Sequence, residues 1–131
     1  MILTRRDPSR VNREKRLDAL WQKVVKTRDD FTCQRCGSRG KVDAAHIITR
    51  SRKLTKWTVA NGVTLCSGCH MHFHRNPAAF LEWIDAEWFR RNGDYVYADL
   101  RILSQPGRTK LDLGMVEAEL KARARVYGIH I

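Results

Sequence analysis

Two CxxC pairs, Cys33/Cys36 and Cys66/Cys69, constrain this chain more than any other feature, because they hold all four of its cysteines. In a reducing compartment, paired cysteines with none left over favour thiolate ligation of zinc over disulfides. A thioredoxin-type redox motif is a single CxxC beside a βαβ pattern, which is absent. Each CxxC forms a tight knuckle, and two knuckles joined by a loop of this length close on one ion. Cys33, Cys36, Cys66 and Cys69 are therefore assigned to a structural Zn²⁺. The remaining readings are His70 displacing one thiolate and a set of buried, unmetallated cysteines. A closed four-thiolate site has no open position, so this zinc is a fold element. It ties the exit of a first helix to a hairpin and to the helix that follows.

At 131 residues the chain predicts one domain with one modest core. Its 43% apolar content, with four Trp and four Phe, predicts a folded chain. No stretch approaches the roughly 20 apolar residues of a membrane span. The start, Met1-Ile2-Leu3-Thr4-Arg5-Arg6, lacks the apolar segment of a secretory signal, which predicts a cytoplasmic protein. A net charge of +11 and a pI near 10.1 point to a polyanionic partner. Charge alone does not separate DNA from RNA and says nothing about cutting.

Residues 1–12, with Arg5, Arg6 and Arg10, read as a basic arm. Over 13–28, Leu17, Leu20, Trp21, Val24 and Val25 recur at helical spacing. Gly37 and Gly40 mark the knuckle turn and loop. Residues 42–48 predict a short strand and 63–66 its partner. The long basic connection between them ends in Asn61-Gly62, a strong turn signal. A helix is expected from 67 to 74, stopped by Asn76-Pro77, which caps the next. That next helix, 77–91, sets Phe80, Leu81, Ile84 and Trp88 on one face and stops at Asn92-Gly93. Val96, Leu100 and Leu103 suggest a short helix before a Gln105-Pro106-Gly107 turn, and Val116 and Leu120 seed a last one over 113–127, ended by Gly128. The predicted class is α+β, mostly α. The single domain divides into the arm, a helix-knuckle-hairpin unit over 13–76 and a helical extension over 77–131.

His70 and His74 are four residues apart, so on a helix they share one face, a common way to hold one metal ion. His72 lies about 200° round from them and reads as a surface or packing residue. His46 falls on the first strand, with Asn61 fifteen residues later and His70 nine beyond that. These residues, in this order, resemble the HNH or ββα-metal nuclease motif. The spacing is similar to that of the colicin DNases, and the cysteine pairs resemble those of HNH proteins, some phage-encoded, that flank the motif with a zinc knuckle. The likeness covers roughly residues 33–74.

The resemblance implies a general base, a divalent ion and hydrolysis of phosphodiester bonds to 5′-phosphate and 3′-hydroxyl ends. His46, neutral near pH 7, takes a proton from water. An ion on His70 and His74 stabilises charge on the phosphate and the leaving oxygen. Asn61 holds the loop and orients the His46 imidazole through a hydrogen bond; its other reading is a turn-forming residue before Gly62. Many family members place a further metal ligand, Asp or His, just before the base, where this chain has Ala45. Asp43, two residues back on the same strand face, is the candidate replacement, directly or through water. Otherwise the ion keeps two protein ligands. Imidazole ligands favour Mn²⁺, Ni²⁺, Co²⁺ or Zn²⁺ over Mg²⁺.

Between positions 35 and 56 seven Lys and Arg face one acid, Asp43. Arg50, Arg52, Lys53 and Lys56, which follow His46, are the expected contacts to double-stranded DNA. Trp57 either stacks on a base or anchors the loop in the core, the core being favoured. The leading reading is a metal-dependent, HNH-like DNA endonuclease, monomeric and so nicking. The second is a non-catalytic zinc-stapled DNA-binding module; a third is an RNA-directed or toxin-type nuclease. The small size, basic arm and knuckle resemble phage HNH proteins that work with DNA-packaging (terminase) proteins in the host cytoplasm.

Overall fold

The computed structural model describes residues 8–92, 97–105 and 110–130. Arg5 and Arg6 of the basic arm, Gly93, Val96 and the Pro106-Gly107 turn lie outside the described residues. In chain order the elements are α1 (Pro8–Arg28), β1 (Val42–His46), β2 (Gly62–Cys66), α2 (Ser67–Arg75) and α3 (Pro77–Trp83). A π-helical turn (Ile84–Trp88), α4 (Phe89–Asn92), α5 (Tyr97–Ser104) and α6 (Leu113–Val126) complete them. The chain is mostly helical with one two-stranded antiparallel sheet, the α+β class expected of it. Among the described residues no helix is long and apolar enough to cross a membrane.

α1 starts at Pro8, five residues before the sequence pattern suggested, with a proline at the position that needs no N–H donor. Residues 8–12 of the expected arm are therefore helical. Leu17, Trp21, Val24 and Val25 are buried at helical spacing, and Lys26 and Arg28 close the last turn, where cations suit the helix dipole. Asp30 and Phe31 then take positive φ (54° and 51°), reversing the chain toward the first knuckle.

The hairpin forms the middle layer. Its register pairs Val42 with Cys66 and His46 with Gly62. Side chains alternate across it as strand geometry requires. Ala44 packs with Leu17, Trp21 and Trp57, whereas Ala45, Val63 and Leu65 pack with Phe73, Ile84, Trp88 and Leu100. The edge of β1 away from β2 is completed by a side chain. The Gln22 amide donates to the Ala44 carbonyl at 3.1 Å and accepts from the Ala44 N–H at 3.0 Å. α6 covers α1 from outside through Leu120, Ala124 and an Arg13–Glu117 ion pair of 2.9 Å. It is capped by Asp112 and ends at Gly128, which has φ 73°.

Arg28 and Asp29 join these layers. The guanidinium holds the Asp29 carboxylate through two bonds of 2.8 Å and donates to the carbonyls of Val59 and Gly62 at 2.9 and 2.7 Å. Asp29 in turn accepts from the Thr64 N–H at 3.0 Å. The exit of α1 is thereby tied to β2.

Asn61-Gly62 is not the hairpin turn its dipeptide signal suggests. Asn61 ends a short 3-10 turn (Val59–Asn61), and Gly62 begins β2 with ordinary extended angles, φ −122° and ψ 146°. Gly62 is needed for space: a Cβ there would lie 2.7 Å from both Trp21 Cζ2 and Val25 Cγ2. Gly62→Ala is therefore expected to destabilise the fold by about 1–3 kcal/mol through overpacking. Chemical denaturation of the two proteins side by side measures this, and an unchanged midpoint would show that α1 yields freely.

Candidate functional site

The four cysteine sulfurs lie within 4.8 Å of one another. Cys33 and Cys36 follow the reversal after α1; Cys66 ends β2 and Cys69 lies in the first turn of α2. Each pair makes the N–H to sulfur bond of a knuckle, Cys36 N to Cys33 Sγ at 3.5 Å and Cys69 N to Cys66 Sγ at 3.4 Å. Gly37, with φ 79°, turns the first knuckle. Hydrogen bonding with Ser38 holds the Cys36 thiol down to about 6, and the Cys69 backbone N–H lowers Cys66. Burial pushes Cys69 up to about 12, against the Arg35 guanidinium 3.5 Å from its sulfur. Four soft donors so close, supported by N–H and guanidinium groups, fit a divalent ion of the zinc type.

A cleft of about 990 Å³ opens beside this cluster, with His46, His70 and His74 on its walls. His46 ends β1 and is fixed on two sides. Its ring stacks on Trp21 with centroids 4.0 Å apart and planes 10° from parallel. Its Nε2 lies 2.9 Å from the Lys56 carbonyl. A carbonyl only accepts, so Nε2 carries the hydrogen and Nδ1 keeps its lone pair. Burial lowers the His46 pKa below its ordinary 6.5, outweighing the raising effect of the Lys56 carbonyl. The imidazole is thus neutral at pH 7.

Asn61 does not orient His46, which corrects one expected role. Its side chain is fully buried and satisfied elsewhere: Oδ1 accepts from Ile48 N at 2.7 Å, and Nδ2 donates to the Ile48 and Thr55 carbonyls at 3.0 Å each. Asn61 clamps the two ends of the connection that follows His46, and the bond to the imidazole comes from Lys56 within that connection. Its loop-holding role is the one the geometry supports.

His70 and His74 share one face of α2, their ring centroids 4.8 Å apart. Burial first, then the charge of His74, lowers the His70 pKa, while Asp43 opposes it. Asp43 is exposed on β1, with Oδ2 3.9 Å from His70 Nδ1. Ala45, on the same strand face, is buried in the core. Among the described residues the four cysteines are the one group of three or more ligand-type side chains gathered tightly enough to share an ion. His70, His74 and Asp43 are neighbours but do not form a second such group. His72 is exposed, as its position round the helix predicts.

The expected phosphate contacts divide. Arg50 and Arg52 are exposed on the cleft wall. Lys53 and Lys56 turn instead toward α1: Lys53 Nζ lies 3.9 Å from Glu14, and Lys56, its side chain 11% exposed, pairs with Asp18 at 3.5 Å. Lys56 also covers the Trp57 ring, and Trp57 donates to Asp18 at 2.7 Å. Trp57 is therefore a core anchor. Lys56 is withdrawn into one network with Asp18 and buried Trp57, whereas Lys53 keeps a half-exposed side chain beside Glu14. Trp21, in contrast, was legible only as a core residue; no spacing rule links it to His46.

Residues 33–80 match the family model described as HNH endonuclease. This span holds both CxxC pairs, His46, Asn61, His70 and His74, so the resemblance drawn from the motif holds over these residues. No curated protein and no solved structure matches the chain.

Because the cysteines join α1, the hairpin and α2, removing an ion bound by them is expected to unfold the chain. Far-ultraviolet circular dichroism during titration with a strong zinc chelator should show loss of most helical signal. An unchanged spectrum after complete chelation would separate the knuckle from the fold.

Proposed function

We propose that this chain is a metal-dependent endonuclease of the HNH type that cuts double-stranded DNA, leaving 5′-phosphate and 3′-hydroxyl ends. The observation that carries the reading is the pairing of a fixed, neutral His46 with the His70–His74 pair across one cleft. His46 Nδ1 is the free basic atom, and it accepts the proton of the attacking water. Trp21 and the Lys56 carbonyl hold the ring in a single orientation, and Asn61 holds the connection that carries Lys56.

The donor chemistry suits a catalytic divalent ion: two imidazoles one turn apart, one of them kept neutral by burial, with the Asp43 carboxylate 3.9 Å from His70 Nδ1. His70 and His74 would hold it, with Asp43 as the candidate third ligand. Two nitrogen ligands favour Mn²⁺, Ni²⁺, Co²⁺ or Zn²⁺, with Mg²⁺ the poorer fit. When bound, such an ion supplies Lewis-acid stabilisation of charge developing on the scissile phosphate and its leaving oxygen. Arg50 and Arg52 neutralise backbone phosphates beside the base.

With one such site, the chain works as a monomeric single domain that nicks one strand. By analogy with phage HNH proteins, it acts in the bacterial cytoplasm beside terminase proteins.

Supercoiled plasmid incubated with each ion in turn tests the reading. Wild type is expected to nick, and His46→Ala to lose about 10²–10⁴-fold in rate while still binding DNA. Binding without cutting under every ion would favour the non-catalytic DNA-binding module; equal cutting by both proteins would remove His46 from its role.

The pH dependence follows in sign. Protonated His46 cannot accept a proton, and its pKa lies below 6.5. The nicking rate should therefore hold from neutral pH to below the ordinary histidine value of 6.5 before it falls. An acid limb centred above 6.5 would contradict a buried, neutral base.

A further inference from the structure

α5 has had no part in the chemistry so far, yet Tyr97, Arg101 and Ser104 line the same cleft as His46, His70 and His74. The helix is anchored there, because Leu100 is fully buried in the core beneath the hairpin and Tyr97 packs against that core. Tyr97 and Arg101 are one helical turn apart and share a face. The guanidinium carbon of Arg101 stands 6.0 Å from the Tyr97 ring centroid, which steadies an exposed side chain.

The charge pattern shows what that side chain is for. Among the described residues the cleft lining contains Arg50, Arg52, Arg101 and three histidines, and no Asp or Glu. Arg101 has no acidic partner among the described residues. Its neighbours one turn away are Tyr97 and Gln105, neither a carboxylate, and Asp99 is about 200° round the helix. Elsewhere the chain pairs many of its cations: Arg13, Arg28, Arg39, Lys56 and Lys121 all meet acids. Arginines without an acidic partner among the described residues, from two segments about 50 residues apart in sequence, thus converge on a cleft whose nearest acid, Asp43, lies at His70. A guanidinium fork in that setting matches phosphate oxygens.

We propose that α5 is a second DNA-gripping element, in which Arg101, steadied on Tyr97, binds a backbone phosphate adjoining the one that is cut. Arg50 and Arg52 hold the strand from the connection after β1, and Arg101 holds it from α5. This inference rests on the endonuclease reading for which phosphate is attacked, but its test is a binding measurement.

A short labelled duplex is titrated over a range of salt, without added catalytic metal, with wild type, Arg101→Gln, Arg101→Lys and Arg123→Gln. Arg123 lies on α6 outside the cleft and controls for net charge. Arg101→Gln is expected to weaken binding about tenfold and to reduce the salt slope by about 0.9, one phosphate contact. Arg101→Lys should restore the slope but not the full affinity, because a point charge replaces the fork. Arg123→Gln should leave the slope unchanged. A wild-type slope in Arg101→Gln, or a loss no larger than that of Arg123→Gln, overturns the assignment. The two readings fail separately. Tight binding with a changed slope and no cleavage under any ion defeats the endonuclease and leaves Arg101 in place. Cleavage by wild type with normal binding by Arg101→Gln defeats the α5 contact alone.

Discussion

Four sulfurs within 4.8 Å are the constraint from which the rest of this structure hangs. Thiolates that close repel one another, and the local N–H groups and Arg35 offset only part of that charge. A divalent cation bound there would offset that charge, and its binding free energy would become folding free energy for whatever the cysteines join. They join the exit of α1, the end of β2 and the first turn of α2. Those elements carry, respectively, the ring that stacks on His46, the strand that pairs with it, and the His70–His74 face. The Arg28–Asp29 pair and its bonds to Gly62 and Thr64 repeat the same junction in polar groups. In the proposed reaction the staple takes no part itself, but it holds together the elements that carry His46, His70 and His74.

Within that frame His46, the proposed general base, is governed by packing. Gly62 leaves room for the Trp21 indole, the indole covers one face of His46, and burial keeps the imidazole neutral. The Lys56 carbonyl selects the tautomer, and it is in place because Asn61 satisfies three buried backbone groups of the surrounding connection. Leaving such groups unpaired costs about 1–3 kcal/mol each, so the connection has little freedom to move the carbonyl. Basicity and orientation at His46 therefore come from different parts of the chain, α1 and the β1–β2 connection.

Much of this was legible in the sequence. The cysteine spacing, the two short strands and the His70–His74 interval each encode a short-range geometry, and the structure has the sulfur cluster, the hairpin and the two rings on one helix face. Gly128 ends α6 as its position suggests. What was not legible depends on contacts between distant segments. Trp21 fits a core stripe equally well whether or not a histidine lies against it. Lys56 belongs to a basic run, and only the Asp18–Trp57 network takes it out of the cleft. Asn61-Gly62 carries a turn signature, yet Asn61 is a clamp and Gly62 a close-approach position. The first turn of α1 was not legible because residues 8–12, mostly polar and basic, lack the apolar periodicity by which a helix is recognised. The missing carboxylate at Ala45 is a similar case, since strand alternation places Asp43 on the right face but does not set its distance from His70.

The central claim is that one chain holds two ions in two roles, a closed thiolate site that builds the fold and an open imidazole site that serves the reaction. The most direct test is anomalous diffraction from crystals of the zinc-loaded protein soaked with Mn²⁺, recorded at energies that separate the two elements. The account predicts a zinc peak among Cys33, Cys36, Cys66 and Cys69 and a manganese peak between His70 and His74, facing His46. Zinc at the cysteines with no second peak, or a second ion bound away from both imidazoles, would contradict it.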